Sequence, residues 1–137
     1  MLPLPLRALP ESARALLARA YGGADVRFER VALSLPALAE NGNSVALGVA
    51  VQPLMTQADG GQAGSVVSLE VFAPENPNPR IARFHFGPAC PRAEVRTRVR
   101  MAASQTVVAV AACSDGNLYA GAAEIVVTEA ACLDFLF

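Results

Sequence analysis

Three cysteines are the side chains in this sequence with the clearest capacity for covalent chemistry. Cys90 and Cys113 lie within the region of β-type patterns, whereas Cys132 follows the last of these patterns. A thiolate forms and exchanges S–S bonds, and it reacts readily only where the thiol is exposed. An odd number of cysteines also leaves one thiol unpaired in an oxidising compartment, where it is available for cross-linking or chemistry.

Cys132 is the best candidate for that reactive thiol. It lies four positions beyond Thr128, where the last predicted strand ends. An extended chain of four residues spans ~13 Å, so we expect the thiol to stand clear of the sheet. Exposure of this kind is the condition under which a thiol acts as a nucleophile.

Cys90 and Cys113 have two interpretations that the sequence leaves open. The predicted strands 81–87 and 105–113 should run in the same direction, with strand 94–101 returning between them. Both cysteines then fall at one end of the molecule, opposite to Cys132, where a disulfide is geometrically allowed. Two unrelated small apolar residues explain the same pattern equally well.

The single histidine, His85, is predicted to face solvent together with Arg83, because Phe84 and Phe86 alternate with them and should point inward. One histidine without neighbouring carboxylates or cysteines does not make a transition-metal site. The same shortage removes a Ser/His/Asp or Cys/His catalytic arrangement. The sequence therefore predicts no metal site, no resident cofactor and no enzyme active site of its own.

A row of arginines forms a second candidate feature. Arg96, Arg98 and Arg100 alternate with apolar residues and thus share one face of a strand, and Arg83 with His85 is expected on the preceding strand beside them. Such a row is most often a solvated face, or a set of charges that prevents an edge strand from pairing with another chain. The alternative is a docking surface for an acidic partner.

The elements that must position these residues begin with one short helix over residues 10–21. Pro10 suits its first position, Gly22 and Gly23 end it, and apolar residues recur at helical spacing: Ala13, Leu16, Leu17 and Ala20. After Gly23 the apolar period changes to two, which indicates strands. The helix could pack on its own domain or on a partner.

About seven strands, separated by turn signals, follow the helix. Val107–Ala112 is apolar on both faces and is predicted to be a central strand. The pattern predicts a mostly β chain that folds as an immunoglobulin-like antiparallel β-sandwich with a short N-terminal α-helix. We divide it into an N-terminal segment over 1–25, a sandwich over 26–128 and a C-terminal tail over 129–137.

Composition narrows the classes of partner. The chain has 11 basic and 12 acidic residues and a net charge of −1, which argues against nucleic-acid binding. No stretch approaches the ~20 apolar residues of a membrane-spanning helix, so we expect a soluble chain without membrane insertion. Met1–Pro10 has no run that resembles the apolar region of an export signal.

Five stretches of the sequence, in order and at family-like spacing between about residues 12 and 132, resemble the SoxY family. They are residues 35–45 (LPALAENGNSV), 76–86 (NPNPRIARFHF), 92–100 (RAEVRTRVR), 104–111 (SQTVVAVA) and 114–116 (SDG). The resemblance implies a periplasmic, non-catalytic carrier of covalently bound sulfur intermediates in thiosulfate oxidation, with an immunoglobulin-like fold. It also implies a heterodimer with a SoxZ-like β-sandwich subunit and transient contacts with the sulfur-oxidation enzymes.

The family's attachment cysteine stands on a glycine-rich C-terminal arm, and Cys132 falls on that position. It would carry the sulfur adduct, and it could also link two copies of the chain. Here Ala130 and Ala131 replace the glycines before the cysteine, and the bulky residues 133–137 (LDFLF) replace those after it. This departure motivates an alternative: a divergent SoxY-like binding or assembly subunit without carrier activity, associated with another periplasmic oxidoreductase.

Overall fold

The computed structural model describes residues 9–52, 65–87 and 92–130 of the chain. One helix and nine strands lie within these residues. Their bounds are α1 Glu11–Tyr21, β1 Val26–Arg27, β2 Val31–Ser34, β3 Leu38–Ala39, β4 Val45–Val51, β5 Val66–Phe72, β6 Arg80–His85, β7 Glu94–Val99, β8 Gln105–Cys113 and β9 Leu118–Val127.

The strands form two sheets. The larger sheet has the order β1-β9-β8-β5-β6, with β3 also paired to β9, and the smaller sheet has the order β2-β4-β7. Pairing is antiparallel except for β1 and β3, which each run parallel to β9. The predicted mostly β, immunoglobulin-like sandwich is therefore confirmed. The two-residue strands β1 and β3 were too short to produce a periodic signal.

The core lies between the inner faces of the two sheets. Leu69, Val71 and Met101 have no exposed surface, and alternate residues of β4 complete the opposite wall. Strand β8 lies between β9 and β5 and is buried on both faces, as its apolar sequence predicts. Val107 faces the core between the sheets, whereas its neighbour Val108 packs beneath the helix.

Helix α1 packs on the outer face of the larger sheet of its own chain. Its buried side chains are Ala13, Leu16 and Leu17, and they form one apolar cluster with Phe72 and Val108 of the sheet. The fourth residue of the predicted stripe, Ala20, is exposed. The helix therefore covers the face of the sheet that a sandwich would otherwise leave open, and burial of these side chains stabilises that arrangement.

Gly121 marks a close approach between the two sheets. A Cβ atom at this position would overlap the carbonyl oxygen of Val31 on β2. Glycine is therefore required in the middle of β9, where its low strand propensity would otherwise be a cost. Gly48 on β4 differs, because a Cβ there would meet its nearest neighbour, Cβ of Ser34, at 3.4 Å.

The predicted pairing of the 81–87 and 94–101 regions is wrong. Strand β6 is hydrogen-bonded to β5 and forms one edge of the larger sheet, whereas β7 is hydrogen-bonded to β4 and forms one edge of the smaller sheet. The chain changes sheets between the two strands, and alternation within each strand contains no information about such a change. β6 and β8 do run in the same direction, but β5 lies between them.

Candidate functional site

The base of the C-terminal tail is bound tightly to the segment that precedes β4. The Thr128 N–H donates to the carbonyl oxygen of Ala39 at 3.1 Å, and the Thr128 hydroxyl donates to that of Glu40 at 3.3 Å. The Gly42 N–H donates to the carbonyl oxygen of Glu129 at 2.7 Å. The chain is thus held in place as far as Glu129, three positions before Cys132.

A serine on the loop before β8 supports the tail base from the other side. The Val127 N–H donates to Ser104 Oγ at 2.7 Å, and the Ser104 hydroxyl lies 3.4 Å from the carbonyl oxygen of Val127, to which it donates. No pattern in the sequence identified Ser104, because a single loop serine gives no periodic signal. Cys132 itself lies outside the described residues, so its role as the attachment point stays a prediction.

Cys113 lies at the far end of the molecule from the tail base. It ends β8, whereas Gln105 at the start of β8 pairs with Ile125 near the end of β9. Its side chain is only 5% exposed, and burial raises the pKa of the thiol, with a further contribution from the negative charge of Asp115 and an opposing one from Arg30. A buried thiol whose pKa is raised is a poor nucleophile.

A disulfide between Cys90 and Cys113 is one of the two interpretations that the sequence leaves open. Among the residues that the structure describes, Cys113 has no disulfide partner. Cys90 lies outside them, so the pairing stays a prediction.

The predicted docking face divides into two separate surfaces. Arg83 lies on the helix-covered side of the larger sheet, where it and Arg80 lie 3.6 and 3.0 Å from a carboxylate oxygen of Glu70. Tyr21 of the helix donates its hydroxyl to Glu70 at 2.9 Å, and burial with this acceptor raises the pKa of the phenol. Arg83 therefore belongs to a local charge cluster. His85 is exposed at the end of β6, with Phe84 and Phe86 partly buried against the core, as predicted.

Arg96 and Arg98 project instead from the outer face of the smaller sheet. Their cross-strand partners on β4 are Gly48 and Ala46, which are too small to cover them. This face carries a shallow depression of about 770 Å³ whose floor consists of small side chains. The prediction that these arginines form one docking face with Arg83 and His85 is wrong in its geometry, because the two groups stand on different sheets. A docking role for either group stays a prediction.

A second depression, which we call the basic groove, lies between the start of β6 and the end of β7. Its volume is about 670 Å³, and its lining residues are Asn43, Asn76, Pro77, Asn78, Arg80, Ile81, Arg98, Val99 and Arg100. The buried Asn76 holds one wall: its amide nitrogen donates to the carbonyl oxygen of Arg100 at 2.8 Å, and its Oδ1 accepts from the Ala102 N–H at 2.9 Å. The sequence identified residues 76–79 only as a turn.

Within residues 9–52, 65–87 and 92–130 no group of three or more His, Cys, Asp or Glu side chains could hold a metal ion. No helix in the same ranges is long and apolar enough to cross a membrane.

The sandwich and the stretches along it match one protein family. The model of the sulfur oxidation protein SoxY matches residues 17–132, which include Cys132. The sulfur carrier protein SoxY from Chlorobium limicola f thiosulfatophilum is 27% identical and superimposes with a TM-score of 0.65, over 85% of this chain and 96% of that one. The chain belongs to the SoxY family. No curated protein sequence matches it.

More distant structures share the fold alone. A superoxide reductase (neelaredoxin) from Ignicoccus hospitalis is 18% identical, with a TM-score of 0.57 over 84% of this chain and 91% of that one. A putative superoxide reductase from Thermotoga maritima is 18% identical, with a TM-score of 0.59 over 77% and 95%. At this level of identity the chemistry of those proteins does not extend to this chain.

Proposed function

We propose that this chain is the sulfur-carrying subunit of a periplasmic thiosulfate-oxidising complex, with the thiol of Cys132 as the point of covalent attachment. The observation that carries the proposal is the family match, since it extends to Cys132. The geometry of the tail base supports it. The hydrogen bonds at Thr128 and Glu129 fix the start of the tail, so the thiol stands a constant three residues from a rigid anchor.

The chemistry begins with the thiolate of Cys132. An electron-accepting partner enzyme removes two electrons as this thiolate and the outer sulfur of thiosulfate join in an S–S bond, and the product is a protein-bound S-thiosulfonate. A hydrolytic enzyme then adds water across the bond to the sulfonate, releases sulfate and two protons, and leaves a persulfide anion on Cys132. This chain supplies the nucleophile and the tether, and the partner enzymes supply the oxidant and the hydrolytic groups.

A SoxZ-like β-sandwich subunit is the expected stable partner. The outer face of the smaller sheet is the more suitable surface for it. Small side chains form a flat floor there, and Arg96 stands at its edge without an ion pair among the described residues. The outer face of the larger sheet is already occupied by α1.

Mass spectrometry of protein exposed to thiosulfate and the oxidising enzymes tests the proposal. Wild-type chain should gain sulfur on the peptide that contains Cys132, and Cys132→Ser should gain none on that peptide. Cys113→Ala is the matched control, because the Cys113 side chain is buried far from the tail base, and it should load like the wild type. A known carrier serves as the positive control, and absence of sulfur on Cys132 when that carrier loads would contradict the proposal.

The composition of the tail favours one second candidate. Residues 133–137 contain four large apolar side chains where the family has glycines, and these would impede entry into a narrow enzyme channel. A subunit that binds or assembles with a periplasmic oxidoreductase without carrying sulfur has no need of that entry. Normal growth of a Cys132→Ser strain on thiosulfate, combined with loss of growth after deletion of residues 133–137, would favour this second candidate.

A further inference from the structure

The basic groove concentrates positive charge in a chain whose net charge is −1. Of the described residues that line it, three are arginines and none is acidic. Arg100 is exposed, and its side chain forms no ion pair or hydrogen bond with any described residue. Arg98 donates to Ser44 Oγ at 3.2 Å, and because a hydroxyl is neutral, this bond leaves the charge of the guanidinium uncompensated. Two positive charges therefore lie at the end of β7.

The other wall of the groove, at the start of β6, adds to this charge. Arg80 donates to a carboxylate oxygen of Glu70 at 3.0 Å, and Arg83 lies 3.6 Å from the same oxygen. Tyr21 donates to the other oxygen of that carboxylate at 2.9 Å. One carboxylate thus serves two arginines, each with 51% of its side chain exposed, so this cluster keeps an excess positive charge. Because both walls have the same sign, their fields add.

The arrangement of these charges favours an extended protein segment over a single small oxyanion. A small oxyanion is bound where several N–H donors converge on one point. Here Arg80 belongs to the larger sheet and Arg100 follows the edge strand of the smaller sheet, while the amide nitrogen of the buried Asn76 is engaged by the carbonyl oxygen of Arg100. Ile81 and Val99 add apolar surface, and the volume of about 670 Å³ is far larger than a sulfate-sized ion.

The groove lies beside the base of the C-terminal tail. The Gly42 N–H donates to the carbonyl oxygen of Glu129, and the Gly42 carbonyl oxygen accepts from the Met101 N–H at 2.8 Å. The sequence neighbours of these two groups, Asn43 and Arg100, both line the groove. A Cα atom three residues beyond Glu129 lies within ~11 Å of that anchor. An enzyme that acts on a thiol at that position therefore brings its own surface close to the groove.

We propose that the basic groove is the docking surface for an acidic segment of the enzyme that attaches thiosulfate to this chain. Arg80 and Arg100 bind carboxylates of that segment from the two sheets, and Ile81 and Val99 contact its apolar side chains. A carrier must meet its enzyme often and leave it quickly, and charge complementarity raises the rate of association more than the affinity. The inference rests on the proposed carrier function, because that function supplies the enzyme.

The rate constant for association of the full chain with the immobilised thiosulfate-oxidising enzyme, measured by surface plasmon resonance without thiosulfate, tests this docking. Arg100→Glu should lower the association rate constant about tenfold at low ionic strength and change the dissociation rate constant little, because charges at the rim of an interface act mainly on encounter. Arg100→Gln removes the charge without reversing it and should give an intermediate rate constant. Neither variant removes a side-chain contact with a described residue, so both should keep the wild-type unfolding midpoint.

Arg27→Glu is the matched control. It makes the same change of charge on β1, which forms the edge of the larger sheet opposite to β6 and pairs with the start of β9, away from the tail base. This variant should keep the wild-type association rate constant. Added sodium chloride should slow association of the wild type more steeply than that of Arg100→Glu. Equal rate constants for Arg100→Glu and the wild type, or a wild-type rate constant that does not respond to salt, would overturn the proposal.

A hexaglutamate peptide tests the chemistry of the groove without the enzyme. It should shift the amide resonances of Ile81 and Val99, whereas hexaglutamine should not, and Arg100→Glu should abolish the shifts. Shifts produced by sodium sulfate at equal ionic strength but not by hexaglutamate would assign the groove to a small oxyanion and overturn the proposal. A wild-type dimer in sedimentation velocity that Arg100→Glu dissociates and Arg27→Glu does not would assign the groove to a second copy, which also overturns it.

Failure of this inference is distinguishable from failure of the carrier function, because the peptide test does not involve the thiol. Sulfur on Cys132, together with association and peptide shifts that do not respond to Arg100→Glu, keeps the carrier and removes the docking. Hexaglutamate shifts that Arg100→Glu abolishes, in a chain that gains no sulfur, keep an acidic ligand for the groove and remove the carrier.

Discussion

The two ends of the sandwich differ in what they hold: one buries Cys113, and the other fixes the base of the tail that contains Cys132. At one end Cys113 is 5% exposed, closes the central strand and has a raised pKa. At the other end hydrogen bonds to Ala39, Glu40 and Gly42 hold Thr128 and Glu129, and Cys132 follows three residues later in the sequence. The first arrangement suppresses thiol chemistry, whereas the second fixes the backbone three residues before the thiol that we propose to be reactive. The comparison predicts that the two thiols differ in reactivity.

The largest expected effect is the difference in alkylation rate between the two thiols of the native chain. Cys113 should react only when the sandwich opens, so Cys132 should react at least about a thousandfold faster, given the stability of ordinary domains. Peptide mass spectrometry after timed exposure to iodoacetamide measures both rates. In concentrated denaturant the difference should vanish. Equal rates in the native chain would contradict the comparison.

Gly121→Ala should break the comparison by destabilising the sandwich that buries Cys113. The new methyl group overlaps the carbonyl oxygen of Val31, and overpacking of this kind costs about 3 kcal/mol. Alkylation of Cys113 should then accelerate roughly a hundredfold, because 1.4 kcal/mol corresponds to a factor of ten. Gly48→Ala is the control, since its methyl group makes an ordinary contact, and it should change the free energy of unfolding much less. Equal unfolding free energies for the two variants would show that the close approach of Gly121 to Val31 does not exclude a methyl group at position 121.

A matched pair of serines should sharpen the comparison. Ser104 accepts the Val127 N–H at the tail base, and Ser114 accepts the Ser65 N–H near Cys113. Loss of one such bond costs about 1 kcal/mol, so each alanine variant should speed amide exchange several-fold at its own donor. Ser104→Ala should affect Val127 but not Ser65, and Ser114→Ala the reverse. Exchange that accelerates at both ends in either variant would show that the ends are not independent.

The smallest expected effect is a pH dependence that comes from Cys113. Because burial raises its pKa in the folded state, the folded chain holds its proton more tightly than the unfolded chain. The resulting stability is fully present below the ordinary thiol pKa of about 8.5 and is lost as pH rises through the folded value. Denaturant titrations across this range should show the loss in the wild type, and Cys113→Ala should lose less. Identical curves would contradict the assignment.

Much of the fold could be predicted because alternation along a strand reports burial directly. The period-two pattern identified the main strands, and the doubly apolar run at 107–112 identified the central one. The assignment of strands to sheets could not be predicted in this way. Strands β6 and β7 are consecutive in sequence, yet they belong to different sheets. Nothing in the alternation of Arg83 or Arg96 distinguishes a hairpin from a crossover between sheets.

The candidate site was predictable only in part for a similar reason. Cys132 was identified from its position after the last strand and from the family resemblance. The support of the tail base by Ser104 and the basic groove both arise where loops meet in space. One such contact joins the Asn76 side chain to the backbone of Arg100. Contacts of that kind depend on tertiary structure, and no local pattern encodes them.

The fate of radiolabelled sulfur tests the central claim most directly. Thiosulfate labelled at its outer sulfur is supplied with the oxidising and sulfate-releasing enzymes, and the label is followed to individual peptides. The account predicts that sulfate leaves unlabelled and that the label stays on the peptide with Cys132 until a reductant releases it. Label on Cys90 or Cys113 instead, or a chain that never acquires label while a known carrier does, would contradict the account.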